Sequence, residues 1–275
     1  MRDRNPALRF SFALVAIGVI YALAIEPFWI EVTHHRIGRT LAPKDTIRIV
    51  QLSDLHISRL GWRENMVARS VEALRPDVIV LSGDAVDRAD NLDVFDAFLA
   101  KLPQVPRFAV NGNWEYWSGV DLSAMSRIYQ RNGVTLLENQ SVTVPARTGK
   151  FALTGLDDAG EGRADWRKAT YSPETEGLPR IVIQHTPEWR DELDQRTTTA
   201  KNARPIAVLS GHTHGGQINF FGWRPYLPGG TGNYPAGWYR EDGGTPLYVS
   251  RGLGTSMLPF RFGSRPEIAV FDLAL

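Results

Sequence analysis

Short runs of Val, Ile and Leu recur along the chain, each closed by a polar residue or a glycine. They are IRIVQLS at 47–53, VIVLSG at 78–83, FAVNG at 108–112, IVIQ at 181–184 and IAVLSG at 206–211. Runs this short and this apolar predict strands buried on both faces, as in parallel sheets covered by helices. Between them the period changes. Val67, Val71 and Leu74 follow Arg63-Glu64-Asn65 at helical spacing, and Val94, Phe95, Phe98, Leu99 and Leu102 form a second one-sided stripe. Both segments predict amphipathic helices. The stretch 134–155 reads as short strands with turns, and 247–250 and 268–273 as late strands. The Gly- and Pro-rich segments 225–237 and 242–246 read as loops, not domain linkers. Strands alternating with helices predict an α/β fold.

The N-terminus is patterned differently. Phe10 to Ile25 contains nothing more polar than Ser11, Gly18 and Tyr21, and Arg2, Arg4 and Arg9 precede it. This is shorter than the ~20 residues of a full span, but Ala7, Leu8 and residues 27–30 can extend it into the interfaces. An uncleaved anchor competes with a signal peptide, because Ala22-Leu23-Ala24 has the small-x-small form of a cleavage site. A buried core helix is the third reading. The chain therefore divides into an anchor or signal at 1–30, a connector at 31–44 and one domain at 45–275. About 235 residues beyond the anchor suit a single α/β domain. No candidate ligand precedes Asp54, so removing residues 1–30 is expected to free the chain from membranes and leave the site intact.

Each of the five apolar runs ends on metal-ligand residue types: Asp54 and His56, then Asp84, Asn113, His185, and finally His212 with His214. Taken singly, an Asp after a strand is usually a cap or turn residue, and a lone His is simply hydrogen-bonded. Seven such residues at five successive strand ends point instead to one crevice, because ligand sites of open α/β sheets assemble at the carboxyl ends of strands. Carboxylate, imidazole and amide donors without thiolate suit divalent Mn, Fe, Zn, Co or Ni. Two carboxylates against two divalent ions leave such a site net positive and attractive to an anionic group. The paired Asp157-Asp158 reads as a turn and not as a third metal site.

The motif order SDLH (53–56), GD (83–84), GNWE (112–115), QHTP (184–187) and GHTHGGQ (211–217) resembles the calcineurin-like metallophosphoesterases. The tail at 248–268 resembles a membrane-attached bacterial phosphodiesterase subgroup of the YaeI and YkuE type. The resemblance implies a four-layer αββα sandwich and two divalent ions, one held by Asp54, His56 and His214 and one by Asn113, His185 and His212, with Asp84 shared. It makes Asp54, Asp84, Asn113 and His185 the catalytic set, and implies in-line attack by a metal-bridging hydroxide. One position departs from the family. Its GNH motif supplies His as proton donor to the leaving group, and here that residue is Trp114, whose indole N–H does not titrate in the accessible range. Glu115 and Tyr116 are the candidates to replace it.

Two functions follow. One is a membrane-associated phosphodiesterase or phosphatase acting on a lipid-linked phosphate such as a nucleotide-diphosphate glycolipid. The other is a metal-binding protein with little turnover, disabled at Trp114. A phosphoprotein phosphatase is a weaker third, against which the anchor counts. The aromatics Phe220, Phe221, Trp223, Tyr226, Trp238 and Tyr239 either fill the core under a loop or wall a substrate site, while Arg251, Arg261 and Arg265 are candidates to clamp phosphate oxygens. With a net charge of +1 and no Lys/Arg run, nucleic acid is not an expected partner. The basic flank places the N-terminus in the cytoplasm, so a spanning helix in a bacterial inner membrane would hold the catalytic domain outside; a helix lying on the membrane leaves the side open. Zero cysteines exclude disulfides and leave the compartment undetermined by redox.

Overall fold

The five apolar runs become the central strands of two mixed six-stranded sheets in the computed structural model, which describes residues 6–38, 46–147, 149–197, 204–240 and 243–275. In chain order the strands are β1 (Glu31–Gly38), β2 (Ile47–Leu52), β3 (Val78–Ser82), β4 (Arg107–Val110), β5 (Val134–Leu136), β6 (Gln140–Ala146), β7 (Gly149–Gly155), β8 (Arg180–Ile183), β9 (Ala207–Ser210), β10 (Gly237–Tyr239), β11 (Leu247–Val249) and β12 (Glu267–Ala274). The first sheet runs β1-β12-β2-β3-β4-β5 and the second β10-β11-β9-β8-β7-β6. β2 to β5 are parallel, as are β7, β8, β9 and β11. The carboxyl ends of the parallel strands therefore point the same way within each sheet.

The helices are α1 (Pro6–Ile20), α2 (Trp62–Leu74), α3 (Leu92–Leu99), α4 (Asn113–Trp117), α5 (Leu122–Arg131), α6 (Trp166–Thr170) and α7 (Trp189–Thr197). Glu64 closes the start of α2 by accepting from the Gly61 N–H at 2.8 Å, and Arg75 ends it in the left-handed region. The stripe Phe95, Phe98 and Leu99 is fully buried with Val67 and Val71 against Val50, Leu52 and Ile79. A second cluster lies between the sheets, where Ile49, Val80 and Phe271 meet Phe151, Ile181 and Leu209. A third packs Trp166, Ala169 and Leu193 on Val182 and Val208. Helices, sheet, sheet, helices is the four-layer order the motifs imply.

One boundary is corrected. Residues 31–38, expected within a connector, form edge strand β1, parallel to β12 and in register from Glu31↔Glu267 to Gly38↔Ala274. Its ladder and polar network hold it: Thr33 Oγ1 donates to Glu267 at 2.7 Å, and the His35 ring lies 3.0 Å from the Tyr248 hydroxyl. Ile37 is its one buried apolar side chain, so no apolar run announces it. Residues 39–45 of the same segment lie outside the described residues.

α1 continues through a wide turn at Tyr21–Ile25 and a tight one at Glu26–Phe28, giving one apolar rod from Arg9 to Phe28. Twenty residues reach ~30 Å, the hydrocarbon thickness of a bilayer. Its side chains from Phe10 to Ile20 are almost all exposed, which is not the burial of a core helix. Only its end docks. The Arg261 N–H donates to the Ala22 carbonyl at 3.0 Å, and the fully buried Glu26 carboxylate accepts from the Gly263 and Ser264 N–H groups at 2.9 and 2.5 Å.

Candidate metal centre

The predicted ligands meet at the carboxyl ends of five parallel strands, with the two sheets contributing unequally. The first supplies Asp54 and His56 after β2, Asp84 after β3 and Asn113 at the start of α4; the second supplies His185 after β8 and His212 and His214 after β9. All seven are buried. Five of them, Asp54, His56, Asp84, His212 and His214, hold the left-handed backbone region that non-glycine residues avoid. Each costs on the order of 1 kcal/mol, and persists because the surrounding loops over-determine it. Asp54, His56 and Ile57 donate their N–H groups to the carbonyls of Gly83, Asp84 and Ala85, zipping the β2 and β3 exits together. Gly112 is required where these loops cross, since a Cβ there would collide with the Asp84 carboxylate and lie 2.9 Å from the His185 ring.

Two groups of donor atoms form. Asp54, His56, Asp84 and His214 make one, and Asp84, His185 and His212 the other, each with its ligand atoms within 4.8 Å of one another. Asp84 belongs to both, with Oδ2 at 3.6 Å from His56 Nε2 and 3.3 Å from His185 Nε2. Asn113 joins the second group, its Oδ1 lying 3.0 Å from His185 Nε2 and 2.9 Å from His212 Nδ1.

The outward ring nitrogens are already committed. His56 Nδ1 donates to Asp87 at 2.9 Å, His185 Nδ1 to the Ser82 carbonyl at 2.8 Å, and His212 Nε2 to the Gly229 carbonyl at 2.6 Å. Neutral imidazoles so fixed turn a lone pair inward. His185 Nε2 and His212 Nδ1 then face each other at 3.2 Å with the Asn113 oxygen beside both, acceptor against acceptor. Asp54 Oδ2 is buried with no partner among the described residues. Such a constellation needs protons or cations between its atoms, and its O/N donor set fits divalent ions.

Without a cation the groups must neutralise one another. Burial pushes Asp84 up, but the His185 charge and hydrogen bond, His56 and the Trp114 N–H outweigh it and hold the carboxyl at about 2. Burial likewise pushes His185 down, and Asp84 and Asp54 override it, raising the imidazole well above its ordinary value. A raised pKa in the folded state means that the proton stabilises the fold at low pH and is lost as pH rises through that pKa. A divalent ion competes for the same nitrogen. Ion binding near neutrality should therefore release protons, and affinity should weaken by up to about tenfold per pH unit for each proton displaced as pH falls. Calorimetric titration with Mn²⁺ in two buffers of different ionisation enthalpy reads this; an affinity flat from pH 8 to 6 contradicts it.

The neighbours of GNWE resolve two sequence expectations. Trp114 sets its indole edge-on to the His56 ring, centroids 5.1 Å apart, while its backbone N–H donates to Asp84 Oδ1 at 2.9 Å. Glu115 faces inward and accepts from the N–H groups of Asp84 (3.0 Å), Ala85 (2.7 Å) and Gly112 (2.7 Å). Burial, then the Asp84 charge, pushes it up to about 7. It ties the β3 and β4 exits together and does not border the cavity. The Tyr116 hydroxyl donates to Asp157 at 2.5 Å, and burial raises its pKa. Neither side chain lines the cavity over the donor groups.

A cavity of about 640 Å³ opens over both donor groups, lined by Asp84, Asn113, His212 and His214 at its floor and by Trp114, Trp117, Ile218, Tyr226, Met257 and Leu258 on its walls. The three proposed substrate contacts do not line it. Arg251 is paired with Glu31 at 2.8 Å and with Glu267. Arg261 is wholly buried, donating to the carbonyls of Arg251, Gly254 and Ser264 and facing His214 Nδ1 at 3.2 Å. Trp223 lies outside on Phe220, ring centroids 6.0 Å apart. Their guanidinium groups answer internal acceptors, a demand invisible in sequence. Arg265 stacks on Trp29. The aromatic loop divides, with Phe220, Phe221, Trp223 and Tyr226 exposed and Trp238 and Tyr239 packed against the cores. Asp157 and Asp158 bind turn N–H groups, as expected of a turn.

The chain is similar to known proteins along nearly its whole length. Residues 47–216 match the family of calcineurin-like phosphoesterases. An uncharacterized metallophosphoesterase, YkuE of Bacillus subtilis, is 32% identical over 98% of this chain and 97% of its own. The phosphodiesterase YaeI of Escherichia coli is 29% identical over 99% of this chain and 100% of its own. A transmembrane protein with a metallophosphoesterase domain from Bos taurus is 32% identical over 97% of this chain and 63% of its own.

Proposed function

The chain belongs to the calcineurin-like phosphoesterase family and is a metallophosphoesterase, and from that premise we propose that it is a dinuclear, membrane-associated phosphodiesterase acting on a lipid-linked phosphoester. The observation that carries this reading is the pairing of two donor groups through one buried Asp84 at the floor of a cavity with apolar walls. Asp54, His56 and His214 would hold one ion, and Asn113, His185 and His212 the other. Two divalent ions there would supply positive charge to the phosphoryl oxygens and acidify water at the site. Mn, Fe, Zn, Co and Ni all suit the donors.

The chain's own residues then orient and exclude. Asp87, the Ser82 carbonyl and the Gly229 carbonyl fix three imidazole tautomers, Glu115 fixes the Asp84 and Asn113 loops, and Trp114 covers His56. The apolar walls suit an alkyl chain or another flat apolar group beside the phosphate. The N-terminal rod suits an uncleaved anchor, since its docked end is bonded to the domain, with the catalytic domain outside the cytoplasmic membrane. In mixed micelles, the full chain should hydrolyse a long-chain phosphodiester with a higher kcat/KM than its short-chain analogue. Equal values would remove the lipid-linked reading and leave the phosphoesterase.

Trp114 shapes what such an enzyme can cleave. Without a positioned acid, a leaving oxygen departs as an anion, so esters of acidic alcohols should react far faster than alkyl esters. Proton donation contributes about 10²- to 10⁴-fold, and that loss should fall on poor leaving groups. Trp114→His should raise turnover of alkyl esters more than of aryl esters. A wild-type rate insensitive to leaving-group pKa, with chemistry rate-limiting, would mean that another residue serves as the acid. The alternative, a metal-binding protein with little turnover, rests on this same substitution and predicts no turnover with either ester class.

A further inference from the structure

We propose that the rim of the cavity is a second membrane contact, its loops 218–226 and 256–258 resting in the phospholipid surface that the N-terminal helix enters, so that the metal centre is reached from the lipid side. This rests on the anchor reading given above.

The rim is apolar where a soluble loop would be polar. Phe221 is fully exposed, Met257 is 82% exposed, and Trp223, Tyr226 and Leu258 are more than half exposed. Phe221 and Met257 also hold the left-handed backbone region, where turns ordinarily place Gly or Asn. Bulky apolar side chains in that conformation, aimed outward, answer no need of the fold. An apolar patch of this kind marks a surface that is covered in use.

Continuity with the anchor identifies the cover as a bilayer. Gln217 binds the second loop at both ends of its amide, accepting from the Ser256 N–H and donating to the Leu258 carbonyl, each at 2.9 Å. The Asn219 N–H donates to the Phe262 carbonyl at 2.7 Å, and the Phe220 ring lies on Phe262 with centroids 4.6 Å apart. Phe262 in turn meets Tyr21 of the rod edge-on at 5.9 Å. The Glu26 and Ala22 hydrogen bonds to residues 261–264 fix the rod at this point, so rim and anchor form one apolar surface. On the docked end, Arg265 lies 4.3 Å over the Trp29 ring, an aromatic and a cation of the kinds that settle at the headgroup level. Tyr226, Met257 and Leu258 belong both to this surface and to the cavity wall leading to His212.

The chain has no cysteine, so a single introduced cysteine carries a single probe. Val15→Cys on the anchor, Phe221→Cys and Met257→Cys on the rim, and Tyr171→Cys are each labelled in the full chain with an environment-sensitive fluorophore. Tyr171 is exposed and lies beside residues 139–141 at β6, the outer edge strand of the second sheet, away from the residues that line the cavity. The proteins are reconstituted in phosphatidylcholine–phosphatidylglycerol vesicles with or without nitroxide-bearing lipid. The expected result is loss of more than half of the emission at 15, 221 and 257, and no loss at 171. Quenching at 15 with 221 and 257 behaving like 171 overturns the proposal and leaves the anchor standing. No quenching at 15 overturns both. A blue shift at 221 or 257 without lipid quenching means that protein covers the rim, which also overturns it.

Discussion

Asp84→Asn is expected to lower kcat for an aryl phosphodiester by at least about 10³-fold, some 4 kcal/mol of transition-state stabilisation, and to reduce the bound ions from two to one or none. Asp84 is the one residue common to both donor groups, and its Oδ2 sits between His56 Nε2 and His185 Nε2. The amide would remove a negative charge from between the two proposed cations and, in one of its orientations, turn hydrogens toward them. The fold should survive, because Asn can still accept the Trp114 N–H through its oxygen, and because the charge that repels Asp54 is removed. Elemental analysis, turnover and a metal-free melting curve on one preparation separate these effects. Two tightly held ions with near-normal turnover would remove Asp84 from its shared position.

Truncation is expected to divide at Tyr21. A chain lacking residues 1–19 should lose its membrane span, keep no more than the weaker contact of the rim, and keep its turnover of a small soluble ester, whereas one lacking residues 1–30 should lose at least about tenfold and melt lower. The longer deletion removes the Glu26 carboxylate and the Ala22 carbonyl, leaving the N–H groups of Arg261, Gly263 and Ser264 without acceptors. Each buried donor so abandoned costs about 1–3 kcal/mol. The damage lies next to a candidate ligand, since the Ser264 hydroxyl donates to the His214 carbonyl at 2.7 Å and the Arg261 guanidinium faces its ring. This reverses the expectation that residues 1–30 are dispensable for hydrolysis. Equal kcat/KM for the two truncations would contradict the coupling.

What could be read from the sequence followed from local pattern. The strand ends carrying Asp54, Asp84, Asn113, His185 and His212 announce themselves because a buried strand needs an unbroken apolar run and a ligand must stand where that run stops. Contacts between distant segments left no such trace. β1 is nearly all polar and held by Glu267 and Tyr248, more than 200 residues away. Glu26 lies just past the apolar stretch with nothing near it in sequence to show its partners, the N–H groups of Gly263 and Ser264. Glu115 is a candidate acid by its place in the motif, yet its partners are backbone N–H groups of residues 84, 85 and 112, which no side-chain pattern reveals. Arg251 and Arg261 are candidates for phosphate by their charge, whereas Glu31, Glu267 and a ring of carbonyls take them. The left-handed backbone at Asp54, His56, Asp84, His212 and His214 is likewise hidden, because Asp and His side chains carry no mark of a positive φ as glycine would.

The central claim is that two ions bound by this donor set make the chain a phosphodiesterase. The full-length protein, stripped of metal and titrated with Mn²⁺, should hydrolyse an aryl phosphodiester in proportion to occupancy and reach its plateau as two ions per chain are bound. Two ions bound with no turnover at any loading would contradict the account and leave a metal-binding protein disabled at Trp114.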